Sequence, residues 1–407
     1  MRYQFSETIT EAQHDEFVKN SPLCNLLQST NWGKVKDNWK YKIVGVYDEG
    51  KLVASSMVLI KPLPLSFSMF YIPRGPVMDF KNKELVSFYM KALKKFAKKY
   101  HCLFITFDPA VCCNQYTLDN VNETHIEGSD DFISTLEQNG AIFKGFTKSL
   151  DATIQPRYHA YVHQNEDFLS TVTKSCRKAL NTVKKKGVEV NAYHTEGLHD
   201  FAMVMHCTEK RKGIHLRDEE YFKKIMETYG DDAVIYLAKL NLKDKYEETL
   251  ARYNKNIKDL EECPENAKKK RFTLEELNAS LTREVSELKS FLEEDGDVAV
   301  LSGALCVKFG HTSELLYAGM DDRYKRYMAP YASFYNCMTW SFDKGCDCCN
   351  MGGIEGSFDG GLTKFKANYN PLIHEFVGEF DLPVYKSLYK LAIFAMNARK
   401  KAIKRKA

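Results

Sequence analysis

Residues 242–292 read LKDKYEETLARYNKNIKDLEECPENAKKKRFTLEELNASLTREVSELKSFL, and their apolar residues recur at alternating three- and four-residue steps. The recurring residues are Leu250, Tyr253, Ile257 and Leu260, followed by Leu274, Leu277, Leu281, Leu288 and Phe291. This spacing predicts one narrow apolar seam on each of two helices, and Pro264 between them favours a reversal of the chain. We therefore predict an antiparallel coiled-coil hairpin over 242–294, about 30 Å long at 1.5 Å rise per residue.

The composition is that of a folded protein with more than one domain. The chain has 407 residues, of which 44% are hydrophobic and 28% charged, and this predicts two or three domains. Its start lacks a basic region followed by an apolar run, and no window approaches eighteen apolar residues, so we expect neither a secretory signal nor a membrane span. Twelve cysteines then favour reduced thiols in a cytoplasmic protein.

Outside the hairpin, strand and helix signals alternate along the chain. Cys102–Asp108 is a continuous apolar run of the kind found in central strands, whereas Lys83–Tyr100 carries apolar residues at helical spacing. The same order recurs in the second half, so we predict an α/β (α+β) fold of two successive units with mixed sheets. The predicted domains are 1–155, then 156–241 together with 295–407, and the inserted hairpin 242–294.

The formal net charge of +4 is unevenly distributed. Lys174–Lys186 holds six basic residues and no acidic one, and the tail from Arg399 onwards is also basic, while 242–294 holds eleven basic and thirteen acidic residues. Basic clusters can contact phosphate backbones or anionic lipid surfaces, but solvated helix faces have the same composition. The tail follows an amphipathic stretch over 385–395, which favours contact with a membrane surface.

Cofactor and metal signatures are missing from the sequence. It contains no glycine-rich phosphate loop and no serine nucleophile elbow, so reactions that depend on ATP or NAD are not supported. Cys346, Cys348 and Cys349 invite a zinc interpretation, but adjacent cysteines cannot easily share one tetrahedral ion. We therefore predict no cofactor and no metal, with these cysteines as buried free thiols.

Two polar sites are candidates for chemistry in the first domain. Asp108 ends an apolar strand, where a carboxylate can accept a proton or orient an amine; alternatively, Asp-Pro caps the following turn. Lys36 lies between Trp32 and Trp39, and two indoles beside an ammonium suit a sugar or uracil ring with a phosphate. The alternative is that both tryptophans are core anchors.

Two further candidates lie in the second domain. Arg217 and Tyr221 are four residues apart on a helix that opens at Asp218, so they can share a face near an anion. The segment 352–366, GGIEGSFDGGLTKFK, has five glycines before an alternating basic and aromatic run. Glycines allow the backbone to pass close to a ligand, with Lys364 and Lys366 supplying positive charge; a flexible surface loop is the alternative.

Several ordered segments together resemble a known family. They are LLQSTNWGKVKDNW, YIPRGPV, FITFDP, EKRKGIHLRDEEYF, LLYAGMDDRYKRYMAPY, NMGGIEGSFDGGLTKFK and GEFDLP. In this order they resemble the Fem/MurM (FemABX) family of tRNA-dependent aminoacyltransferases, which build the interpeptide branch of Gram-positive peptidoglycan. KRKGIHLR and YAGMDD look most like the streptococcal MurM/MurN branch. The resemblance implies two tandem acetyltransferase-like domains with a helical hairpin in the second.

The resemblance also implies roles for individual residues. It places Lys36, Arg217 and Tyr221, with Trp39, near the diphosphate and sugar of a cell-wall precursor, and Tyr317 by the acceptor peptide. It places Phe365 and Lys366 at the acceptor end of aminoacyl-tRNA and at the catalytic centre, and Asp108 near the acceptor amine.

The implied reaction moves L-alanine or L-serine from aminoacyl-tRNA to the ε-amine of the stem-peptide lysine. The acceptor would be lipid II or the UDP-linked muramyl pentapeptide, used in the cytoplasm with peripheral contact at the inner face of the plasma membrane. Three alternatives stay open: addition of the second residue of the branch, a non-catalytic cell-wall assembly protein that binds a partner through the hairpin, and a coenzyme A-dependent acetyltransferase.

Overall fold

Two eight-stranded sheets form the framework of the protein, whose computed structural model describes residues 2–120 and 129–404. The strands are β1 (Tyr3–Ser6), β2 (Lys40–Asp48), β3 (Lys51–Pro62), β4 (Ser68–Ile72), β5 (Val77–Met78), β6 (Cys102–Phe107), β7 (Cys112–Thr117), β8 (Ile142–Phe143), β9 (Tyr158–His163), β10 (Glu189–Tyr193), β11 (Ala233–Asn241), β12 (Val298–Phe309), β13 (Thr312–Met320), β14 (Cys348–Ile354), β15 (Leu372–Phe376) and β16 (Phe380–Pro383).

Helices flank both sheets. They are α1 (Glu11–Lys19), α2 (Thr30–Val35), α3 (Lys83–Lys98), α4 (Ser129–Gln138), α5 (Phe168–Thr171), α6 (Lys174–Lys185), α7 (Leu198–Lys212), α8 (Glu219–Tyr229), α9 (Leu242–Glu261), α10 (Lys268–Asp295), α11 (Ala329–Asp343), α12 (Gly361–Ala367) and α13 (Lys386–Lys404). Within the described ranges, no helix is both long enough and apolar enough to cross a membrane.

Both sheets are mixed. The first has the strand order β1-β2-β3-β4-β6-β16-β8, with β5 beside β3, and the second has the order β10-β11-β12-β13-β14-β9-β15-β7. The strands β4 and β6 pair in parallel in the first sheet, as do β13 and β14 in the second. The predicted α/β class, with two mixed sheets and a helical hairpin, is confirmed.

The two sheets exchange strands across the middle of the chain. The strand β7 leaves the first half to pair with β15 in the second sheet, and β16 returns from the C-terminal part to lie between β6 and β8. Strand pairing therefore crosses the domain boundary predicted at residue 155 in both directions. The domain limits stay a prediction, because strand content alone does not indicate which sheet a strand joins.

One buried apolar cluster joins the two halves. Trp32 and Met57 from the first half pack in the same core as Phe201, Phe222 and Leu305 from the second. The helices α2, α7 and α8 thus meet between the sheets, and this junction holds several of the candidate site residues.

The hairpin between β11 and β12 buries Leu281, Leu288 and Phe291 as predicted, but its seam differs from the predicted one at other positions. The buried positions of α9 include Leu242, Thr249 and Asn256, which recur every seven residues, whereas the predicted seam residue Leu277 is 40% exposed. Asn256 Nδ2 donates to the carbonyl of Leu274 at 3.1 Å. A buried polar residue in a heptad fixes the register of two helices at some expense of stability, and the apolar repeat alone did not reveal it.

The segment that contains the basic run forms two helices. They are α5 and α6, and Val172 separates them. Thr173 causes the new start, because its extended backbone and its side chain, which accepts a hydrogen bond from Cys176 N–H, form an N-cap.

Candidate functional site

Lys36 lies at the C-terminal end of α2 and faces helix α8. Ser29 begins α2 by accepting a hydrogen bond from the backbone N–H of Trp32 at 3.1 Å. The Nζ of Lys36 donates to the hydroxyl of Tyr221 at 2.6 Å and lies 4.5 Å from the centroid of the Trp32 ring. Trp32 is buried, so it is a core anchor that also presents its ring to Lys36.

Arg217 and Tyr317 complete a group that we call the cationic cluster, namely Lys36, Arg217, Tyr221 and Tyr317. The guanidinium of Arg217 lies 4.8 Å from the Tyr221 ring centroid, and the Tyr221 and Tyr317 rings are 6.1 Å apart. Burial, with the nearby charge of Arg217, lowers the pKa of Lys36 to about 8. Neither cation forms an ion pair with a carboxylate in the described parts of the chain. Two adjacent cations without carboxylate partners favour an anionic ligand.

Trp39 connects this cluster to a second group. Its ring lies 6.4 Å from that of Tyr71 in an edge-on arrangement, and the Lys61 ammonium lies 5.3 Å from the Trp39 centroid. Tyr71 in turn contacts Asp108. The backbone N–H of Trp39 donates to the Lys36 carbonyl at 2.9 Å, so Trp39 links the cationic cluster to the pair Tyr71 and Asp108.

Asp108 is buried, with 2% of its surface exposed. The Tyr71 hydroxyl lies 3.3 and 3.2 Å from its two carboxylate oxygens, and the backbone N–H of Arg74 donates to Oδ1 at 2.9 Å. These partners lie at the end of the neighbouring strand β4, so the side chain does more than cap its own turn. Burial raises the pKa of Asp108 to about 7, although the Arg74 charge opposes the shift. A carboxyl with this pKa can exchange a proton near neutral pH.

Arg74 extends the buried polar group into the second sheet. It is 2% exposed, and its Nη2 lies 2.8 Å from both the Pro156 carbonyl and His159 Nε2. Because arginine only donates, His159 Nε2 must accept, and its Nδ1–H donates to Asn350 Oδ1 at 3.2 Å. Burial and the Arg74 charge hold the pKa of His159 well below its usual value. His159 is thus a neutral link between Arg74 and β14.

Lys366 lies on α12, next to strand β14. Its Nζ donates to the Gly353 carbonyl at 2.9 Å, and 4% of the residue is exposed. Burial lowers the pKa of Lys366 to about 7, while the charge of Glu355 opposes the shift. Gly352, with φ +82°, and Gly353, where a Cβ would lie 2.5 Å from Pro156, let this backbone pass close to its neighbours. Lys366 can therefore switch between ammonium and amine near neutral pH.

Phe365 packs away from Lys366, among the aromatic side chains of α11 and α12. Its ring centroid lies 4.9 Å from that of Phe334, 5.0 Å from Tyr331 and 5.9 Å from Tyr369. The residue is half-buried. In this position Phe365 orients α12, and hence Lys366, through packing.

The structure thus divides the predicted site residues into three places. Lys36, Arg217, Tyr221 and Tyr317 come together, with Trp39 at their edge; Asp108 contacts Tyr71, which packs on Trp39; and Phe365 and Lys366 lie on α12. The sequence interpretation missed Arg74, His159 and Asn350, which connect Asp108 with the strand beside Lys366. The signal for Arg74 was a charge inside the otherwise apolar segment YIPRGPV. His159 offered no signal, because its partners come from distant parts of the chain.

The cysteines form no metal centre in the described residues. Cys346, Cys348 and Cys349 are buried free thiols, and burial raises the pKa of Cys346 to about 11. Within 2–120 and 129–404, no group of three or more His, Cys, Asp or Glu side chains is arranged to hold a metal ion.

Comparisons with known proteins identify the family. A family model described as FemAB family matches residues 9–397. Aminoacyltransferase FemA of Staphylococcus epidermidis is 30% identical over 380 residues, which cover 88% of this chain and 90% of FemA. Aminoacyltransferase FemA of Staphylococcus aureus is 28% identical over 405 residues, which cover 94% and 96%. A crystal structure of FemX superposes with a TM-score of 0.74 and 27% identity, over 96% of this chain and 99% of FemX.

Proposed function

This chain belongs to the FemAB family and is an aminoacyltransferase, and we propose that it transfers L-alanine or L-serine from aminoacyl-tRNA to the stem-peptide lysine of a peptidoglycan precursor. Membership confirms the resemblance to the Fem/MurM family, while the MurM/MurN branch stays a prediction. The proposed reaction builds the cross-bridge of the cell wall, and addition of the second residue of the branch is an alternative within the same chemistry.

The cationic cluster is the observation that carries the proposal for the precursor. Lys36 and Tyr221 are 185 residues apart in sequence but form a 2.6 Å hydrogen bond, and Arg217 covers the ring of Tyr221. A diphosphate would be bound by these two cations, and the half-buried Tyr317 and Trp39 would contact the sugar and peptide. A non-catalytic scaffold needs no such paired cations beside a buried carboxylate.

The chemistry is an exchange of an ester for an amide, which is downhill and needs no ATP at this step. The lysine ε-amine forms an N–C bond to the ester carbonyl, and the C–O bond to the tRNA ribose breaks. One proton leaves the ammonium, whose ordinary pKa is about 10.4, before attack, and the second passes from nitrogen to the departing ribose oxygen. We assign acceptance of the first proton to Asp108 and stabilisation of the tetrahedral oxyanion to the Lys366 ammonium.

Replacing Lys36 by Met is expected to raise the KM for the precursor by about 10- to 100-fold. The reason is the loss of one charged hydrogen bond to a buried anion, worth roughly 1.5–3 kcal/mol. Initial rates at varied lipid II, with saturating alanyl- or seryl-tRNA, measure the effect. Lys34→Met is the matched control, because Lys34 lies on the same helix but pairs with Glu11 at 2.7 Å on the surface. Equal KM values for the two variants would remove Lys36 from the precursor site.

The hairpin is proposed to contact tRNA only near its turn, where Lys268–Arg271 begin α10. Because the hairpin as a whole carries more acidic than basic residues, it is poorly suited to bind phosphates along its full length. Deleting 243–293 would uncover its root, where Leu288 and Phe291 pack with Val183 and Val188. Charge removal at the turn is therefore the cleaner test.

Changing Lys268, Lys269, Lys270 and Arg271 to Gln is expected to raise the KM for aminoacyl-tRNA by about three- to tenfold, since each lost phosphate contact weakens binding. Steady-state rates at varied aminoacyl-tRNA and fixed lipid II give this KM. The control removes four exposed lysines from the rest of the hairpin, Lys243, Lys255, Lys258 and Lys289. A KM that does not move in the turn variant would leave the hairpin a structural or partner-binding role.

The C-terminal helix supports the proposal that the acceptor is lipid-linked. Its Tyr389 packs on Phe104 with ring centroids 5.5 Å apart, while Leu391 and Phe394 are 65% and 73% exposed. Exposed apolar side chains beside a basic tail suit the surface of an anionic membrane. We propose that the enzyme works in the cytoplasm with peripheral contact at the inner face of the plasma membrane.

A further inference from the structure

Helix α6 carries a row of exposed cations that have no role in the proposed reaction as described above. Lys174, Lys178 and Lys185 are exposed, as is Asn181. At 100° per residue these four side chains lie within about 60° of one another and span about 17 Å along the helix. Cys176, Ala179 and Val183 occupy the opposite, buried face. We call Lys174, Lys178 and Lys185 the lysine row.

Two other basic side chains of this segment, Arg177 and Lys186, have internal partners. Arg177 donates to the carbonyls of Ser170 and Val172, and Lys186 donates to the Arg326 carbonyl at 3.0 Å. By contrast, the exposed Lys184, which lies beside the row, and the lysine row itself form no ion pair in the described parts of the chain. Its positive charge is therefore available to an external anion, which distinguishes it from a helix face laced with ion pairs.

The N-terminal end of the row lies against the helix that carries Lys366. The backbone N–H of Thr173, which precedes Lys174, donates to the carbonyl of Asn368 at 3.0 Å. Asn368 is the residue that ends α12, two positions after Lys366. The lysine row thus begins where α12, the helix that carries Lys366, ends.

The C-terminal end of the row lies at the root of the hairpin. Val183 and Val188 share a buried cluster with Leu288 of α10, and Arg326, whose carbonyl accepts from Lys186, forms an ion pair with Glu287 of the same helix. The row therefore runs from the proposed acceptor-end site to the base of the hairpin.

We propose that the lysine row binds the sugar-phosphate backbone of the aminoacyl-tRNA acceptor helix, between its esterified end at Lys366 and the root of the hairpin. The proposal rests on the proposed function. A straight, evenly spaced set of lysines suits a regular phosphate backbone, which is recognised by charge and shape. A membrane would also need exposed apolar side chains on this face, whereas the apolar residues of α6 are directed into the core.

The test compares the wild-type enzyme with the triple variant K174Q/K178Q/K185Q. Each lost phosphate contact reduces the slope of log K against log salt by about 0.7–0.9, so we expect the slope for unacylated tRNA to fall by about 2–3. Affinity at physiological salt should fall about 10- to 100-fold, with the KM for lipid II unchanged. The matched control is K91Q/K95Q/K98Q, which removes three exposed lysines from α3 in the first half of the chain.

A short aminoacyl donor tests which part of the tRNA contacts the lysine row. With an aminoacylated trinucleotide that carries only the 3′ end of tRNA, the triple variant should transfer the amino acid as fast as the wild type, because this donor does not reach the lysine row. A wild-type enzyme that transfers from full-length tRNA, together with a triple variant of unchanged affinity and salt slope, would overturn the inference alone. Failure of the wild type to transfer at all would instead overturn the proposed function.

Vesicles of phosphatidylglycerol and phosphatidylcholine provide the last comparison. Sedimentation with these vesicles should be the same for the wild type and the triple variant. If the triple variant loses vesicle binding but keeps its affinity for tRNA, then the lysine row faces the membrane and the inference is wrong.

Discussion

Replacing Lys366 by Met is expected to lower the single-turnover rate of aminoacyl transfer by about 10²–10³-fold, with the KM for the precursor within about twofold of wild type. The ammonium of Lys366 is buried beside the Gly353 carbonyl, in a low-dielectric site where one preorganised charge on an oxyanion is worth roughly 2.7–4 kcal/mol. Rapid-quench measurements with preformed enzyme and radiolabelled alanyl- or seryl-tRNA give the rate. Lys364→Met, an exposed neighbour on the same helix, should behave as wild type.

The pH dependence of a second variant separates charge from packing at this position. Burial lowers the pKa of Lys366 to about 7, so the wild type loses the ammonium above pH 7, whereas arginine stays charged. The ratio of the Lys366→Arg rate to the wild-type rate should therefore rise about tenfold per pH unit above pH 7. The ionisation of the substrate amine affects both rates equally, so it does not change this ratio. A flat ratio, or an unchanged single-turnover rate in Lys366→Met, would remove Lys366 from the chemistry.

Replacing Asp108 by Asn should reduce kcat by about 10²–10⁴-fold, the usual contribution of a positioned general base. Asparagine keeps the shape of the side chain and can still accept from the Arg74 N–H, so the precursor should bind with nearly the same affinity. Because burial raises the pKa of Asp108 to about 7, the ratio of wild-type to variant rates should rise tenfold per pH unit up to pH 7 and level off above it. A ratio near one at every pH would indicate that the substrate's own groups carry the proton.

Stability provides an independent measurement on the same variant. The folded pKa of Asp108 lies above the unfolded value of about 3.9, so the neutral form stabilises the fold below pH 4 and this stabilisation is lost as the pH rises to 7. One pKa unit corresponds to about 1.4 kcal/mol. Between pH 4 and pH 8, the free energy of unfolding of Asp108→Asn should therefore rise by up to about 4 kcal/mol relative to that of the wild type. Urea unfolding at both pH values tests this. Tyr71→Phe removes a donor to the ionised carboxylate of Asp108. This variant should therefore move the acidic limb of the pH–rate profile to higher pH.

The hairpin shows what apolar periodicity can predict and what it cannot. The three- and four-residue steps predicted two helices between β11 and β12, and both are present as α9 and α10. The same steps correctly placed Leu281, Leu288 and Phe291 in the seam, but they also selected the exposed Leu277 and left out Thr249 and Asn256, which are buried. Which residues are buried depends on which faces of the two helices approach each other. Apolarity alone does not contain that information.

The site residues divide in the same way. Local patterns of charged and aromatic side chains indicated Lys36, Trp39, Asp108, Arg217, Tyr221 and Lys366 as candidates, and the family resemblance added Tyr317 and Phe365. Their grouping required the fold, because Lys36 meets Tyr221 only where α2 packs on α8. The link from Asp108 through Arg74 to His159 likewise requires β4 and β6 of one sheet to lie against β9 of the other.

Local periodicity and ordered motifs were enough to predict most helices and strands, the mixed α/β class, the hairpin and the family. Long-range packing was needed to reveal that β7 and β16 change sheets and that Arg74 and His159 join the two halves. It also revealed that Lys174, Lys178 and Lys185 lie in an exposed row without an ion pair among the described residues. These features depend on desolvation and on partners far away in the chain. The hairpin over 242–294 is thus a feature of the architecture. The proposed chemistry depends on the buried Asp108 and Lys366, and the proposed tRNA contact depends on helix α6 at the root of the hairpin.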